Sequence, residues 1–257
     1  MSDFIQQEEL TEHIILLRLN RPESYNALNF ELMQQFESRL KSLEDEDIRA
    51  IILTGTAKSF SSGADLKEIQ HFDQTTARNF SLAGHRLFNA IEQFPAPVLA
   101  AVNGYALGGG CELACACDIR YAAESAKFGQ PESRVGMIPG WGGTFRLARY
   151  VGIARAKEMI YTGQMISADV ALTMGLVNEV FDDNALLESV LDIAKKIASN
   201  APIATRLAKK MLNRHPWDVQ TLVNEEALAL AHCVNTEDQT EAIHAFLDKR
   251  EPKFQNK

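Results

Sequence analysis

The clearest indication of the fold comes from Val98-Leu-Ala-Ala-Val-Asn-Gly-Tyr-Ala-Leu-Gly-Gly-Gly-Cys-Glu112. Its first five residues, Val98 to Val102, form an apolar run of strand length. A glycine triplet follows, and the residues after it are typical of a helix. A buried strand that leads through a glycine turn into a helix indicates an α/β fold. Glu112 is therefore predicted to lie beside the glycine turn, at an accessible edge of the fold.

A second glutamate has a similar setting in Phe128-Gly-Gln-Pro-Glu132. Gly129 and Pro131 exclude a continuous helix, so the segment is predicted to be a loop that presents Glu132 at a surface or cleft. The two glutamates are 132 − 112 = 20 residues apart. We interpret them as a catalytic acid/base pair, and the alternative is that both belong to surface ion pairs.

Outward from this stretch, apolar runs of strand length alternate with segments whose apolar residues recur at helical spacing. The predicted strands cover residues 14–19, 50–53, 98–102 and 176–181, and the predicted helices cover 32–43, 80–91, 110 onward, 167–175 and 186–197. The alternation predicts an α/β architecture. After about residue 200 the chain is predicted to be helical, either covering the core or meeting another subunit.

Composition restricts the classes of function. With 257 residues and 46% apolar content, the chain can bury a sizeable core without disulfides or metals. Its net charge of −8 and the absence of a basic stripe disfavour a nucleic-acid partner. There is no apolar stretch of membrane-spanning length, and Glu8, Glu9 and Glu12 near the start do not resemble a secretion signal. We expect a soluble, cytoplasmic protein.

The four cysteines are Cys111, Cys115, Cys117 and Cys233. Their spacing fits no common zinc template, so we interpret the first three as small apolar residues of a buried helix. A reducing compartment and the absence of a metal site are the corresponding expectations.

Two glycine-containing turns are candidates for holding a developing negative charge. Gly108-Gly109-Gly110 lacks both the dinucleotide fingerprint and the lysine of a P-loop, but backbone N–H groups at a helix start suit an oxyanion. Ser61-Ser-Gly-Ala-Asp65 is a candidate for the second donor. The alternative is that the first is only a tight turn and the second an ordinary loop.

Several motifs, taken in order, resemble the crotonase, or enoyl-CoA hydratase/isomerase, superfamily. The likeness extends from Arg21-Pro22 and Asn26-Ala27-Leu28 to Phe246-Leu-Asp-Lys-Arg250. The motifs between these ends are Ser62-Gly-Ala-Asp-Leu66, Asn103 to Glu112, Phe128 to Glu132, Gly136-Met-Ile-Pro-Gly140 and Gly142-Gly-Thr144.

This resemblance implies a crotonase-like spiral of repeated ββα units followed by a C-terminal helical region that builds trimers, two of which usually stack as a hexamer. We accordingly predict a catalytic core over residues 1–199 and a helical oligomerisation region over 200–257. The partners implied are an acyl-CoA thioester and further copies of the chain.

For the chemistry, the resemblance implies an oxyanion hole formed by the N–H groups of Ala64 and Gly109. The two carboxylates would hold one water, with Glu112 activating it and Glu132 delivering a proton to a trans-2-enoyl-CoA. No cofactor is implied, since coenzyme A is part of the substrate. The main rival is a double-bond isomerase that uses Glu132 alone. An RNA-binding role, known for some crotonase-like proteins, is disfavoured by the acidic charge.

The resemblance also implies a set of substrate contacts. These are Ala27, Ala64, Asp65, Leu66, Lys67, Gly109, Trp141, Phe246 and Lys249, the last two reaching from a neighbouring subunit. A lysine suits a phosphate, although Lys249 could equally be a solvated charge. The chain departs from the family at Trp141, where a small residue is usual, and at Phe145, where glutamine is common. Both side chains are expected to narrow or reshape the acyl pocket, or else only to pack. The leading expectation for the whole chain is a hydratase that acts on short or medium acyl chains.

Overall fold

The computed structural model describes residues 3–213 and 236–257. Its larger sheet has six strands in the order β1-β2-β3-β5-β7-β10, and its smaller sheet has four in the order β4-β6-β8-β9. The strands are β1 (Ile5–Thr11), β2 (Ile14–Leu19), β3 (Ala50–Gly55), β4 (Ser59–Ser61), β5 (Val98–Val102), β6 (Tyr105–Leu107), β7 (Ile119–Ala123), β8 (Lys127–Gly129), β9 (Met165–Ser167) and β10 (Glu179–Phe181). From β2 to β10 the larger sheet is parallel, whereas β1 is antiparallel to β2.

Helices cover both faces of the larger sheet. In the described ranges they are α1 (Phe30–Leu43), α2 (Leu66–Ile69), α3 (Gln74–Gln93), α4 (Gly109–Ala116), α5 (Ala148–Val151), α6 (Ile153–Thr162), α7 (Ala168–Thr173), α8 (Leu186–Ala198), α9 (Pro202–Leu212) and α10 (Glu237–Asp248). Strands buried on both faces are apolar throughout rather than alternating. In β3, Ile51 contributes to the main core and Ile52 to the layer beneath α8.

Each turn of the fold contributes one strand to each sheet, as in β3-β4, β5-β6 and β7-β8. Asn103 joins two successive turns between their paired strands. Its Oδ1 accepts a hydrogen bond from the Gly55 N–H at 3.0 Å, and its Nδ2 donates to the Ala57 carbonyl at 3.0 Å. These bonds satisfy backbone groups where the chain leaves one sheet for the other. The predicted repeat of ββα units is observed here.

Most predicted elements are present, but the strand predicted over 176–181 is wrong in its first half. Leu176 and Val177 are buried, and both of their N–H groups donate to the Ala171 carbonyl of α7. They therefore complete the end of that helix, and pairing with β7 begins only at Glu179. Their apolar character reflects burial and not a strand.

Cys111, Cys115 and Cys117 are free and buried in or next to α4, as predicted for small apolar residues. Cys233 lies outside the described residues. Within the described ranges no three His, Cys, Asp or Glu side chains could share a metal ion. The helices of this part of the chain include none that is long and apolar enough to cross a bilayer. The division near residue 200 stays a prediction.

Candidate active site

A cavity of about 700 Å³ lies between α2, the start of α3, the N-terminus of α4 and the loop after β8. It brings together predicted site residues from distant parts of the chain. Those that line it are Ala27, Ala64, Asp65, Leu66, Lys67, Gly109, Glu112, Glu132 and Trp141. The wall is mainly apolar, which suits an acyl group, and the two glutamates supply its acidic centre.

Glu112 lies in the first turn of α4 and is 1% exposed. Its Oε1 accepts hydrogen bonds from the backbone N–H groups of Trp141 at 2.8 Å and Gly143 at 2.7 Å. Burial raises the pKa of the carboxyl, while these amides and the charge of Arg146 act in the opposite direction. Burial is the largest of these influences, so the pKa of Glu112 is raised; the two backbone donors fix one carboxylate oxygen and offset part of that rise.

Glu132 lies in a single 3₁₀ turn, Pro131–Val135, that follows β8. When the amide of Gln130 is oriented with its nitrogen toward the carboxylate, it donates to both oxygens of Glu132, at 2.9 and 3.1 Å. Burial, and next the negative charge of Glu112, raise the pKa of Glu132 to about 7. The carboxylate faces Gly108, where a Cβ atom would lie 3.0 Å from Oε1 and where φ is +50°. Glycine is therefore required here for both space and conformation.

The two predicted oxyanion donors face the same space. Gly63 and Asp65 use their C=O and N–H to pair with Leu28, so the N–H of Ala64 between them points to the opposite side. Gly109 is the first residue of α4, where N–H groups have no partner within the helix. A Cβ built on Gly109 would lie 3.5 Å from the Ala64 nitrogen, which shows how closely the two segments approach.

Arg21 holds the segments of Ala27 and Asp65 together at the cavity wall. One guanidinium nitrogen, Nη1, donates to the Ala27 carbonyl at 2.6 Å and to Asp65 Oδ2 at 3.1 Å. Asp65 also caps α2 by accepting from the N–H of Lys67 at 3.1 Å. Arg21 of the Arg21-Pro22 motif thus helps to position two segments of the cavity wall.

Comparison with known proteins identifies the family of this chain. The family model for enoyl-CoA hydratase/isomerase matches residues 9–257. This chain belongs to the enoyl-CoA hydratase/isomerase family. The short-chain-enoyl-CoA hydratase of Clostridium acetobutylicum is 44% identical to it over 92% of both chains. The crotonyl-CoA hydratase of Syntrophomonas wolfei is 43% identical over 97% of both.

A solved enoyl-CoA hydratase from Bacillus anthracis has a TM-score of 0.96 to this chain. The two are 41% identical, and the match covers 99% of this chain and all of that one. The resemblance stated from the motifs, and the crotonase-like fold that it implied, are both confirmed. The departures at Trp141 and Phe145 are therefore departures within the hydratase/isomerase family.

The two aromatic departures from the family pattern have different surroundings. Trp141 lines the cavity and is 3% exposed. Phe145 is 45% exposed and stacks on His85, with ring centroids 6.3 Å apart. It is absent from the cavity wall within the described residues. Of the two alternatives for Phe145, the structure shows packing and not a pocket wall, because the helical turn at Gly143–Leu147 directs its side chain toward α3 and solvent.

Of the two predicted C-terminal contacts, the structure describes the side chain of Lys249 but not that of Phe246. Lys249 follows α10, is exposed, and is absent from the cavity wall as far as the structure describes it. Phe246 lies on α10, but its side chain is outside the described part. Their contact with the substrate of a neighbouring subunit stays a prediction.

Sequence reasoning missed several residues that support the site in this family member. Gln130 contacts Glu132, Gly143 contacts Glu112, and Arg146 supports Trp141 by donating to its carbonyl at 2.7 Å. The motifs around Glu132 and Gly142-Gly143-Thr144 were recognised as a resemblance, but their residues had no assigned partner. A signal existed for Arg146, since an arginine within an apolar segment requires a buried acceptor.

Proposed function

We propose that this protein is an enoyl-CoA hydratase that adds water across the 2,3 double bond of a trans-2-enoyl-CoA to give a 3-hydroxyacyl-CoA. One observation carries the proposal, namely that Glu112 and Glu132 face one mainly apolar cavity and have different surroundings. The hydratases that are 43% and 44% identical to the chain support it. The reaction makes the enzyme a hydro-lyase.

The surroundings of the two carboxyls support a division of labour. Glu112 is held by two backbone donors that favour its ionised form, so it acts as the base that removes a proton from water. The water oxygen then bonds to C3, and the electron pair of the double bond moves toward the thioester. Glu132, whose pKa is raised to about 7, is protonated in about half of the molecules at pH 7, and this protonated form delivers its proton to C2. The two titrations are coupled.

The negative charge that develops on the thioester oxygen would be accepted by the N–H groups of Ala64 and Gly109. Each such donor contributes roughly 3 to 4 kcal/mol in comparable sites. The chemistry needs a base, an acid and a polarised carbonyl, all of which amino-acid residues supply here, so the proposal includes no cofactor beyond the coenzyme A of the substrate.

The proposal extends to partners and location. We propose a homotrimer or a dimer of trimers in which Phe246 and Lys249 contact the coenzyme A of a neighbouring subunit. A cytoplasmic location is supported by three buried free cysteines, which are typical of a reducing compartment.

The test is steady-state hydration of crotonyl-CoA, followed by loss of absorbance of the conjugated thioester. Wild type is compared with Glu112→Gln and Glu132→Gln, and Glu158→Gln on the exposed face of α6 is the matched control. We expect each active-site variant to lose about 100-fold to 10,000-fold in kcat, and the control to be unchanged.

Other results would change the conclusion. Absence of turnover with every 2-enoyl-CoA would reject the hydratase. Migration of the double bond of a 3-enoyl-CoA, with full activity in Glu112→Gln, would indicate an isomerase that works through Glu132 alone.

A further inference from the structure

Trp141 is held in a slot between two helices. A Cβ atom added at Gly84 of α3 or at Gly109 of α4 would overlap its indole, so glycine at both positions makes the space that the ring occupies. The indole N–H donates to the Phe80 carbonyl at 3.3 Å. The rings of Phe80 and Phe88 lie at 5.1 and 5.7 Å from it, centroid to centroid. The side chain is therefore confined to one position.

The same residue contacts both parts of the proposed reaction centre. Its backbone N–H holds Glu112 at 2.8 Å, and the Cζ3 and Cε3 atoms of its ring abut Gly109, the proposed oxyanion donor. A thioester whose carbonyl oxygen is bound at Gly109 and whose C3 faces Glu112 therefore brings its next carbons close to the indole. Trp141 is thus next to the acyl chain directly beyond the reacting atoms.

Beside the indole, a hydrogen bond joins α3 to the loop that carries Trp141. Ser81 of α3 and Gly140 both line it, and the Ser81 hydroxyl donates to the Gly140 carbonyl at 2.8 Å. Helix α3 is thereby tied to the loop that carries Trp141. Phe72 and Phe80 also line the cavity, and their rings pack edge-on with centroids 5.2 Å apart. The wall is a packed layer, and close-packed layers do not open to admit extra methylene groups without cost.

From this geometry we infer that Trp141 is a fixed wall that limits the acyl group of the substrate to a short linear chain. The inference rests on the proposed function and narrows it from short or medium chains to short ones. One methylene group more or less in an apolar pocket changes kcat/KM by about 10-fold to 200-fold. Chains that extend past the indole are therefore selected against by the wall itself.

The test measures kcat/KM for a series of trans-2-enoyl-CoA substrates from the crotonyl to the decenoyl thioester. For wild type we expect a fall of at least about 10-fold between the two ends of the series. Trp141→Ala is expected to recover the long substrates to within about 3-fold of crotonyl-CoA and to lose activity on crotonyl-CoA itself. Its backbone N–H to Glu112 is retained. Phe145→Ala, an aromatic deletion four residues away and outside the cavity, is expected to keep the wild-type profile.

The opening of the cavity supplies the strongest counter-argument. Val135 and Ile138 are 53% and 77% exposed at its rim, and a long chain could leave between them without reaching the wall. In that case wild type would hydrate decenoyl-CoA as well as crotonyl-CoA, and the inference would be overturned even if Trp141→Ala failed to fold. An unchanged profile in a folded Trp141→Ala or Trp141→Leu would overturn it too. Failure of wild type on every substrate would instead reject the proposed function.

Discussion

The backbone N–H of Trp141 donates a hydrogen bond to Glu112 Oε1 at 2.8 Å, while the side chain of the same tryptophan lines the acyl cavity. One residue thus positions the proposed base through its main chain and shapes the pocket through its side chain. Substitution of the indole changes the second role and leaves the first donor in place. The two functions can therefore be separated by experiment.

The pH dependence of catalysis is expected to show the coupled pair. The active form carries one proton, which is on Glu132 for hydration and on Glu112 for dehydration. Because the overall reaction consumes no proton, both directions must share one pH profile of kcat/KM. We expect that profile to fall as pH rises through about 7, where Glu132 loses its proton. Rates of hydration and dehydration between pH 5 and 9 check this, and a flat profile would contradict it.

The charge of Glu112 is expected to contribute to the raised pKa of Glu132. In Glu112→Gln that charge is absent, so the pKa of Glu132 should fall below about 7 but remain above its ordinary value of 4.5, since burial is the larger cause. Titration of the Glu132 carboxyl carbon by ¹³C NMR in both proteins measures the shift. The Glu158→Gln control is expected to leave it unchanged.

Glu132→Gln is expected to stabilise the fold at high pH. The folded-state pKa of Glu132 is raised to about 7 from 4.5, so ionisation costs stability progressively between these values and fully above them. Glutamine removes that cost. Because the carboxyl is partly exposed, we expect a gain of about 1 to 2 kcal/mol at pH 8 and little at pH 5. Urea unfolding at the two pH values tests it, and an equal gain at both would point to another cause.

Gly109→Ala is expected to destabilise the protein by about 1 to 3 kcal/mol, because the new methyl group overlaps the Trp141 ring. If that overlap is the cause, Gly109→Ala combined with Trp141→Ala should lose much less than the sum of the single effects. A double-mutant cycle from urea unfolding measures the coupling. Additive effects would show that the small size of Gly109 serves the backbone alone.

Arg146 is expected to be a major support of the loop that holds Glu112. It is 1% exposed, pairs with Glu92 at 2.6 Å and donates to the Trp141 carbonyl at 2.7 Å. Arg146→Met removes both contacts and leaves Glu92 the longer contact to Arg149, so we expect a cost of about 3 kcal/mol. Arg149 contacts the same Glu92 at 3.5 Å from a more exposed position, and Arg149→Met should cost less than about 1 kcal/mol. Equal losses in thermal or urea unfolding would contradict this assignment.

Elements with a strong local pattern could be predicted from the sequence. The strands Ile14–Leu19 and Val98–Val102 were found because both faces of the larger sheet are buried, which makes their sequences continuously apolar. The smaller sheet was missed. Its strands have only three residues each, too few for a period to show, and their pairing depends on which turns of the spiral stack together.

The family, the two glutamates and the glycine turns beside them could be identified from the sequence, because these depend on residue types in a fixed local order. The surroundings of these residues follow only from the folded chain. It places the amides of Trp141 and Gly143 on a carboxylate that lies about thirty positions earlier in the chain, at Glu112. It also gives two aromatic residues that are close in sequence different surroundings, since Trp141 is buried and Phe145 is exposed. Burial, distance and hydrogen bonding are relations between segments, so they exist only once the chain is folded.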